Sequence, residues 1–321
     1  MYRVIVTDHA FPSLDPERGV LAGLAEVIDC SPLRTEDDVI CAARDADALI
    51  IGFAPITARV MDALPRLRCV VRYGVGYETI DVPAAAARGI QVANVPDYCI
   101  PEVADHTMAL LLALARRVIP LDASVRRGEW ATLKIAQPAH RIEGQTLGLI
   151  GIGRIGSAVA QRALGFGMRV IAYDKYLPPE RAQAAGATRV DLDTLLREAD
   201  FISIHAPLTP ETRHLINAEA IGKLKPSAYL INVARGAIVD TLALADALQM
   251  GKLAGAALDV FEQEPLPADH PIRNAPNVIL HPHAAWYSEE ALTQLQVNAA
   301  EEVARALRGE PLKNLLTPAK L

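Results

Sequence analysis

The stretch Leu147-Gly148-Leu149-Ile150-Gly151-Ile152-Gly153-Arg154-Ile155-Gly156 decides the fold. A short apolar run ends in three glycines spaced G-x-G-x-x-G, and a helix-like segment, 157–166, follows. A phosphate-binding turn between a strand and a helix needs this order. The first glycine allows the tight turn, the second lets backbone approach a pyrophosphate, and the third lets helix pack closely on strand. The helix N-terminus then offers unpaired N–H groups and the positive end of its dipole. The triplet alone is weak, because glycine-rich turns are common. Its context is stronger: a second strand, 168–173, ends at Asp174, where an acid can accept hydrogen bonds from ribose hydroxyls. The stretch points to dinucleotide binding.

Working outward, short apolar runs at 146–150, 168–173, 201–204, 228–232, 255–258 and 278–280 predict six strands, the number of a complete dinucleotide-binding sheet. In parallel sheets ligands bind beyond the carboxyl ends of the strands. The residues just past those ends are Gly151–Gly156, Asp174, His205-Ala206-Pro207, Val233-Ala234-Arg235-Gly236, Asp259 with Glu262 and Glu264, and His281-Pro282-His283. Ionisable groups recurring at one edge point to a single cleft.

A hydride-carrying cofactor needs from the protein an acid/base and a cation for the substrate. Histidine titrates near neutrality, and His283 is the best acid/base candidate. Glu264 and Glu262 compete as its orienting carboxylate, and spacing does not choose between them. Arg235 offers a planar fork for a carboxylate. Asp259 is placed to hydrogen-bond a nicotinamide carboxamide. His205 reads as lining the cleft, and His214 and His281 as loop residues. No metal site is expected, because no Cys/His set completes His281-Pro282-His283.

Before the glycine stretch, strands predicted at 3–6, 26–28, 48–51, 69–71 and 90–92 alternate with helices at 36–44, 57–64 and 82–88, the pattern of a parallel sheet covered on both faces. Arg72-Tyr73-Gly74-Val75-Gly76-Tyr77 is a second glycine-rich loop after a strand. It reads equally as a simple turn and as a backbone cradle for a small anion. Pro96 and Pro101 mark a crossover. A helix from 102 to about 117, continuing in pieces to Gly128, is apolar around most of its circumference. Such a helix must be buried on nearly all sides, which favours burial against a second subunit. A last helix, 289–307, is expected to return to the first sheet.

Bulk properties narrow the class. The chain has 321 residues, enough for two domains, and 51% are apolar. With 32 basic and 38 acidic residues the net charge is −6, which argues against a general nucleic-acid surface. Cys30, Cys41, Cys69 and Cys99 show no C-x-x-C pairing and read as reduced thiols. A strand-like start with no signal-peptide pattern, and no long uncharged apolar run, point to a cytoplasmic protein.

Gly151-Ile-Gly-Arg-Ile-Gly156, His205-Ala-Pro-Leu-Thr209, Asn232-Val-Ala-Arg-Gly236, Leu258-Asp-Val-Phe-Glu-Gln-Glu-Pro265 and Pro282-His283 together resemble the D-isomer-specific 2-hydroxyacid dehydrogenases, collinearly over nearly the whole chain. The resemblance implies an α/β fold of two doubly wound parallel-sheet domains. In it a Rossmann NAD-binding domain (99–285) is inserted into a discontinuous flavodoxin-like substrate domain (1–98 and 286–321). It implies Arg235, Glu264 and His283 as the catalytic set, choosing Glu264 over Glu262. It implies NAD as cofactor, with Gly151, Gly153, Arg154, Ile155, Gly156, Asp174, His205, Ala206, Pro207, Thr212, Val233, Ala234 and Asp259 at the cofactor, and Asp174 selecting NAD over NADP. The Val75-Gly76 backbone would hold the substrate carboxylate, and a homodimer would form through the 102–128 region. His283-Ala-Ala-Trp286-Tyr-Ser-Glu289 is similar to the C-terminal-binding-protein branch, in which Arg72 and Trp286 match substrate-pocket positions. Tyr77-Glu78-Thr79-Ile80-Asp81 departs from the family pattern. The long extensions of the animal corepressors, and the regulatory extension usual in 3-phosphoglycerate dehydrogenase, are not seen. The expectation is a 2-keto acid reductase, with an NAD(H)-sensing interaction protein and 3-phosphoglycerate dehydrogenase as rivals.

Overall fold

Short β-branched runs separated by helices leave their backbone polar groups unpaired unless the strands lie side by side and the helices cover both faces. The computed structural model describes residues 1–176 and 178–316, and the chain forms two compact units. The first comprises Met1–Cys99 with the chain from Ser288, the second Ile100–Tyr287. Trp286 and Tyr287 therefore go with the second unit and not with the C-terminal helix.

In the first unit β1 (Tyr2–Val6), β2 (Ala25–Asp29), β3 (Ala48–Ile51), β4 (Cys69–Arg72) and β5 (Gln91–Ala93) pair in parallel in the order 2-1-3-4-5. This is the flavodoxin-like order. A two-residue strand, Leu315–Leu316, adds antiparallel to β5. It is too short for a sequence signal. The helix Glu289–Arg308 packs on β3 and β4 and seals one face through Leu295, Ala299, Val303 and Leu307. It starts at Ser288, whose side chain accepts from the Ala291 N–H, and stops at Gly309 in the left-handed conformation. The fully buried Glu17, on the short helix Asp15–Val20, accepts hydrogen bonds from the Tyr73 hydroxyl (2.6 Å) and the Gln296 amide (3.0 Å). That helix is missed in the sequence because its six residues carry no apolar period.

The second unit is a seven-stranded parallel sheet. Its strands are β6 (Thr146–Ile150), β7 (Arg169–Tyr173), β8 (Thr188–Arg189), β9 (Phe201–Ile204), β10 (Tyr229–Asn232), β11 (Gly255–Leu258) and β12 (Val278–Leu280), ordered 8-7-6-9-10-11-12. The first six in this order repeat the doubly wound dinucleotide-binding arrangement, and β12 extends it. The expected count of six missed β8, an exposed two-residue edge strand, and took β12 in its stead. The order of strand addition reverses at β6, which pairs in parallel with β7 on one side and β9 on the other, so a ligand crevice opens beyond the carboxyl end of β6, where the glycine loop begins.

The helix Ile100–Ala115 is buried at Val103, Met108, Leu110, Leu111 and Leu114. It packs on the helix Arg154–Gly165 and on β10 and β11. Its all-round apolarity is thus satisfied largely inside the unit, so its periodicity does not by itself require a second subunit. The helix ends where Arg117 takes a left-handed φ of 56°. Beyond it, the helices Val118–Arg126 and Thr132–Ala136 and the turn between them leave Val118, Ile119, Val125, Trp130 and Leu133 exposed. Among the described residues no helix is long and apolar enough to cross a membrane.

Candidate active site

The glycine loop folds as its spacing requires. Gly151 has φ +95°, and a Cβ there would stand 2.8 Å from the Ala206 backbone nitrogen. A Cβ on Gly156 would stand 2.3 Å from the Gly151 carbonyl oxygen. A Cβ on Gly153 would meet nothing. The loop is therefore pressed against β9's exit at His205-Ala206 and against its own helix, and opens outward at Gly153. The helix starts at Arg154, inside the motif and three residues earlier than its composition indicates, because the last glycine belongs to its first turn. No side chain caps that turn. An uncapped N-terminus facing open space, on a loop pinned where Gly151 and Gly156 admit no side chain, fits a pyrophosphate. Arg154 and Ile155 form the first turn. Asp174 accepts the Ile152 N–H at 3.0 Å and the Tyr176 N–H at 2.9 Å, so its carboxylate is fixed to the glycine loop.

The loop after β9 is closed by Thr212, whose hydroxyl donates to the Pro207 carbonyl (2.7 Å) and accepts the Thr209 N–H (2.7 Å). His205 bonds through Nε2 to the fully buried Ser203 hydroxyl at 2.9 Å. Burial pushes its imidazole down to about 3, so it is neutral and carries no acid/base chemistry near pH 7.

After β10 the fully buried Asn232 spans its own turn: its amide nitrogen donates to the Arg235 carbonyl (2.9 Å) and its oxygen accepts the Ala234 N–H (3.1 Å). In the sequence the signal for Asn232 is a polar side chain at the end of an apolar strand. Val233 is buried within this turn. Gly236 admits no side chain, since a Cβ would stand 1.8 Å from the Phe261 carbonyl carbon. That contact brings the Arg235 turn against the loop carrying Glu264. Arg235 lowers the ionisation range of Glu264 through its charge.

The two candidate carboxylates separate cleanly. Glu264 accepts from His283 Nδ1 at 2.7 Å and from the Phe261 N–H at 2.9 Å. Glu262 turns away to His214 Nε2 (2.7 Å) and the Thr241 hydroxyl (2.7 Å). Burial raises the Glu264 carboxyl, but the His283 and Phe261 hydrogen bonds and the two neighbouring cations outweigh it and hold it below its usual range. His283 has φ +57°, a left-handed conformation unfavourable for a residue with a Cβ. Asp259 holds it there. Its carbonyl accepts the His283 N–H (2.8 Å), and its buried carboxylate accepts the N–H groups of Ala284 (2.8 Å) and Ala285 (2.9 Å). Asp259, expected at the cofactor carboxamide, is the anchor of the His283 loop. Trp286, next in that loop, meets Tyr287 edge-on with ring centroids 5.6 Å apart.

The sequence offered no third partner to His281. The fold brings two: His106, whose Nε2 lies 2.8 Å from His281 Nδ1, and Asp259. Burial pushes His106 down from its ordinary value.

In the first unit Arg72 ends β4, and its guanidinium stacks 5.3 Å from the centre of the Phe53 ring and bonds to the Tyr73 carbonyl. Gly74, at φ +120°, lies directly under that guanidinium, where a Cβ has no room. Asn94 donates to the Val75 carbonyl at 2.6 Å, and the Val95 N–H donates to the Gly74 carbonyl at 3.0 Å. The loop is rigidly held, with Gly76 buried in it. Asp8, unnoticed in the sequence, organises the neighbouring loop by accepting the N–H groups of Gly52, Phe53 and Ala54.

A doubly wound sheet whose strand ends carry an open glycine turn and a carboxylate-held histidine defines a dinucleotide-dependent oxidoreductase. A family model described as "D-isomer specific 2-hydroxyacid dehydrogenase, NAD binding domain" matches residues 108–285. A glyoxylate reductase of Korarchaeum cryptofilum is 45% identical over 281 residues, 87% of this chain and 85% of that protein. A D-3-phosphoglycerate dehydrogenase of Methanocaldococcus jannaschii is 41% identical over 318 residues, 98% of this chain but 59% of that protein. Among solved structures, the D-lactate dehydrogenase of Aquifex aeolicus complexed with NAD and lactic acid superposes with a TM-score of 0.84 at 32% identity, covering 96% of each chain. The chain belongs to the D-isomer specific 2-hydroxyacid dehydrogenases, NAD-dependent oxidoreductases acting on CH–OH groups.

Proposed function

We propose that this chain reduces a short 2-keto acid of glyoxylate size to its 2-hydroxy acid with NADH, and that Arg235, Glu264 and His283 carry the reaction. The observation behind this is the 2.7 Å bond from His283 Nδ1 to Glu264, which leaves Nε2 to face a substrate. Bound NADH supplies the hydride that reaches C2. His283 gives the Nε2 proton to the C2 oxygen, and Glu264 stabilises the imidazolium before transfer. Arg235 holds the substrate carboxylate and polarises the carbonyl beside it. Arg72 and the Val75-Gly76 amides are the remaining carboxylate binders, and Trp286 limits the side-chain pocket. Asp174 takes the ribose hydroxyls and disfavours a 2′-phosphate by its charge.

The size assignment draws on the likeness to glyoxylate reductase. Steady-state NADH oxidation with glyoxylate, pyruvate, hydroxypyruvate and 3-phosphohydroxypyruvate tests it. Highest kcat/KM on glyoxylate or hydroxypyruvate is expected. Preference for the phosphorylated acid would favour 3-phosphoglycerate dehydrogenase, the second reading, which the Methanocaldococcus relative supports. NADH binding without turnover on any acid would favour a sensing role.

We further propose a homodimer, supported by the exposed Val118, Ile119, Val125, Trp130 and Leu133. A cytoplasmic location is supported by Cys30, Cys41 and Cys69, which form no disulfide among the described residues.

A further inference from the structure

Behind the His283 loop three metal-ligating side chains converge from separate elements. His106 comes from the helix Ile100–Ala115, Asp259 from the end of β11 and His281 from the end of β12. Their ligand atoms all lie within 4.8 Å of one another. Two imidazole nitrogens, His106 Nε2 and His281 Nδ1, point at each other across 2.8 Å, so one proton is shared between two lone pairs. Asp259 is only 1% exposed, yet among the described residues it forms no ion pair with lysine or arginine. A buried carboxylate is normally paired with a cation or bound to a metal. Each of its oxygens accepts one backbone N–H and keeps a further lone pair.

We propose that His106, Asp259 and His281 form a binding site for a borderline divalent transition metal such as zinc, and that occupancy inhibits the enzyme. Two imidazoles and one carboxylate are the ligand set zinc accepts, with water in the fourth position. The metal replaces the shared proton. Two nitrogens on one tetrahedral zinc stand about 3.4 Å apart, so the rings must separate by roughly half an ångström. Ring rotation at the helix surface and at the strand end supplies that. The backbone N–H groups on Asp259 are the outer partners that a metal-bound carboxylate ordinarily has. The same Asp259 holds His283 in its left-handed conformation, and His281 lies two residues from it. Drawing both toward a metal displaces the acid/base, and this consequence rests on the role assigned above to His283.

The test uses the full chain freed of metal by chelation and dialysis. Zinc binding is measured by calorimetry, and cobalt is used as a coloured probe. One zinc per chain, with intense visible absorption of tetrahedral cobalt, is expected. His106→Gln and His281→Gln, checked for unchanged melting temperature, should each weaken binding by about tenfold or more and relieve zinc inhibition in proportion. Magnesium should neither bind nor inhibit. No zinc binding to the wild type, or binding that survives in both variants, would overturn the site. If the metal binds and both variants abolish binding, but NADH oxidation is unaffected by zinc, the inhibition is refuted. Because binding is read without turnover, failure of the proposed substrate does not affect the first readout.

Discussion

Replacing Glu264 by glutamine removes one charge and almost no volume. Glutamine retains an oxygen for the Phe261 N–H and a polar atom for His283 Nδ1, so the loop keeps its partners. What is lost is the carboxylate facing the imidazolium. A hydrogen bond to a charged partner contributes about 1.5–3 kcal/mol. The side chains of His283 and Glu264 are 37% and 36% exposed, so water screens the pair and the lower half of that range applies. About 1.5–2 kcal/mol corresponds to a kcat roughly 10- to 30-fold lower. The loss should fall on kcat, not on the Kd for NADH, because the role proposed for Glu264 is in proton transfer. Stopped-flow NADH oxidation from pH 5 to 9, with fluorescence titration of NADH, measures both. Glu262→Gln is the control: it breaks the His214 and Thr241 bonds and should lower the melting temperature while leaving kcat near wild type. Unchanged kcat in Glu264→Gln, or a larger loss in Glu262→Gln, would refute the assignment.

Gly156→Ala should weaken NADH binding by about tenfold or more, measured by fluorescence titration, because the new methyl must push the Gly151 carbonyl away and distort the phosphate turn. Stability should fall on acidification. His205 binds a proton near pH 6.5 when unfolded but only near 3 when folded, so its contribution is complete above pH 6.5 and declines by about 1.4 kcal/mol per unit below it. Glu264, held low in the fold, adds loss in the same direction at lower pH. Denaturant melts of His205→Gln between pH 6.5 and 4.5 should show a flatter slope than wild type. Trp130→Asp combined with Ile119→Asp should convert a dimer to monomers in sedimentation velocity, since both side chains are exposed and apolar in the single chain.

Much of this is legible in the sequence. Residues such as Ala48–Ile51 and Gly255–Leu258 are wholly buried strands, and a continuous apolar run bounded by turns is their signature. The glycine turn was equally readable, because its reason is local: at Gly151 and Gly156 there is no room for a side chain, and Gly153 between them faces open space. Edge elements were not. Thr188–Arg189 and Leu315–Leu316 are strands only because a neighbour's backbone is there to pair with. The all-round apolar helix misled in another way. Periodicity records how much of a helix is covered and not by what, and most of the cover is the helix Arg154–Gly165 and the sheet itself.

By itself the sequence determined the chemistry available: which strand ends carry a glycine turn, an arginine, a pair of glutamates and three histidines. Only the tertiary structure decided how those groups pair. Glu262 and Glu264 differ by two positions in one loop, and the course of that loop past Gly236 sends one to Thr241 and His214 and the other to His283. His283 holds a backbone conformation that no local preference would choose, because Asp259 on the adjacent strand binds three consecutive N–H groups. His106 meets His281 across a helix and a sheet edge far apart in the chain. Hydrogen bonds and charge contacts act over a few ångströms of space, and spacing along the chain sets that distance only within a single element.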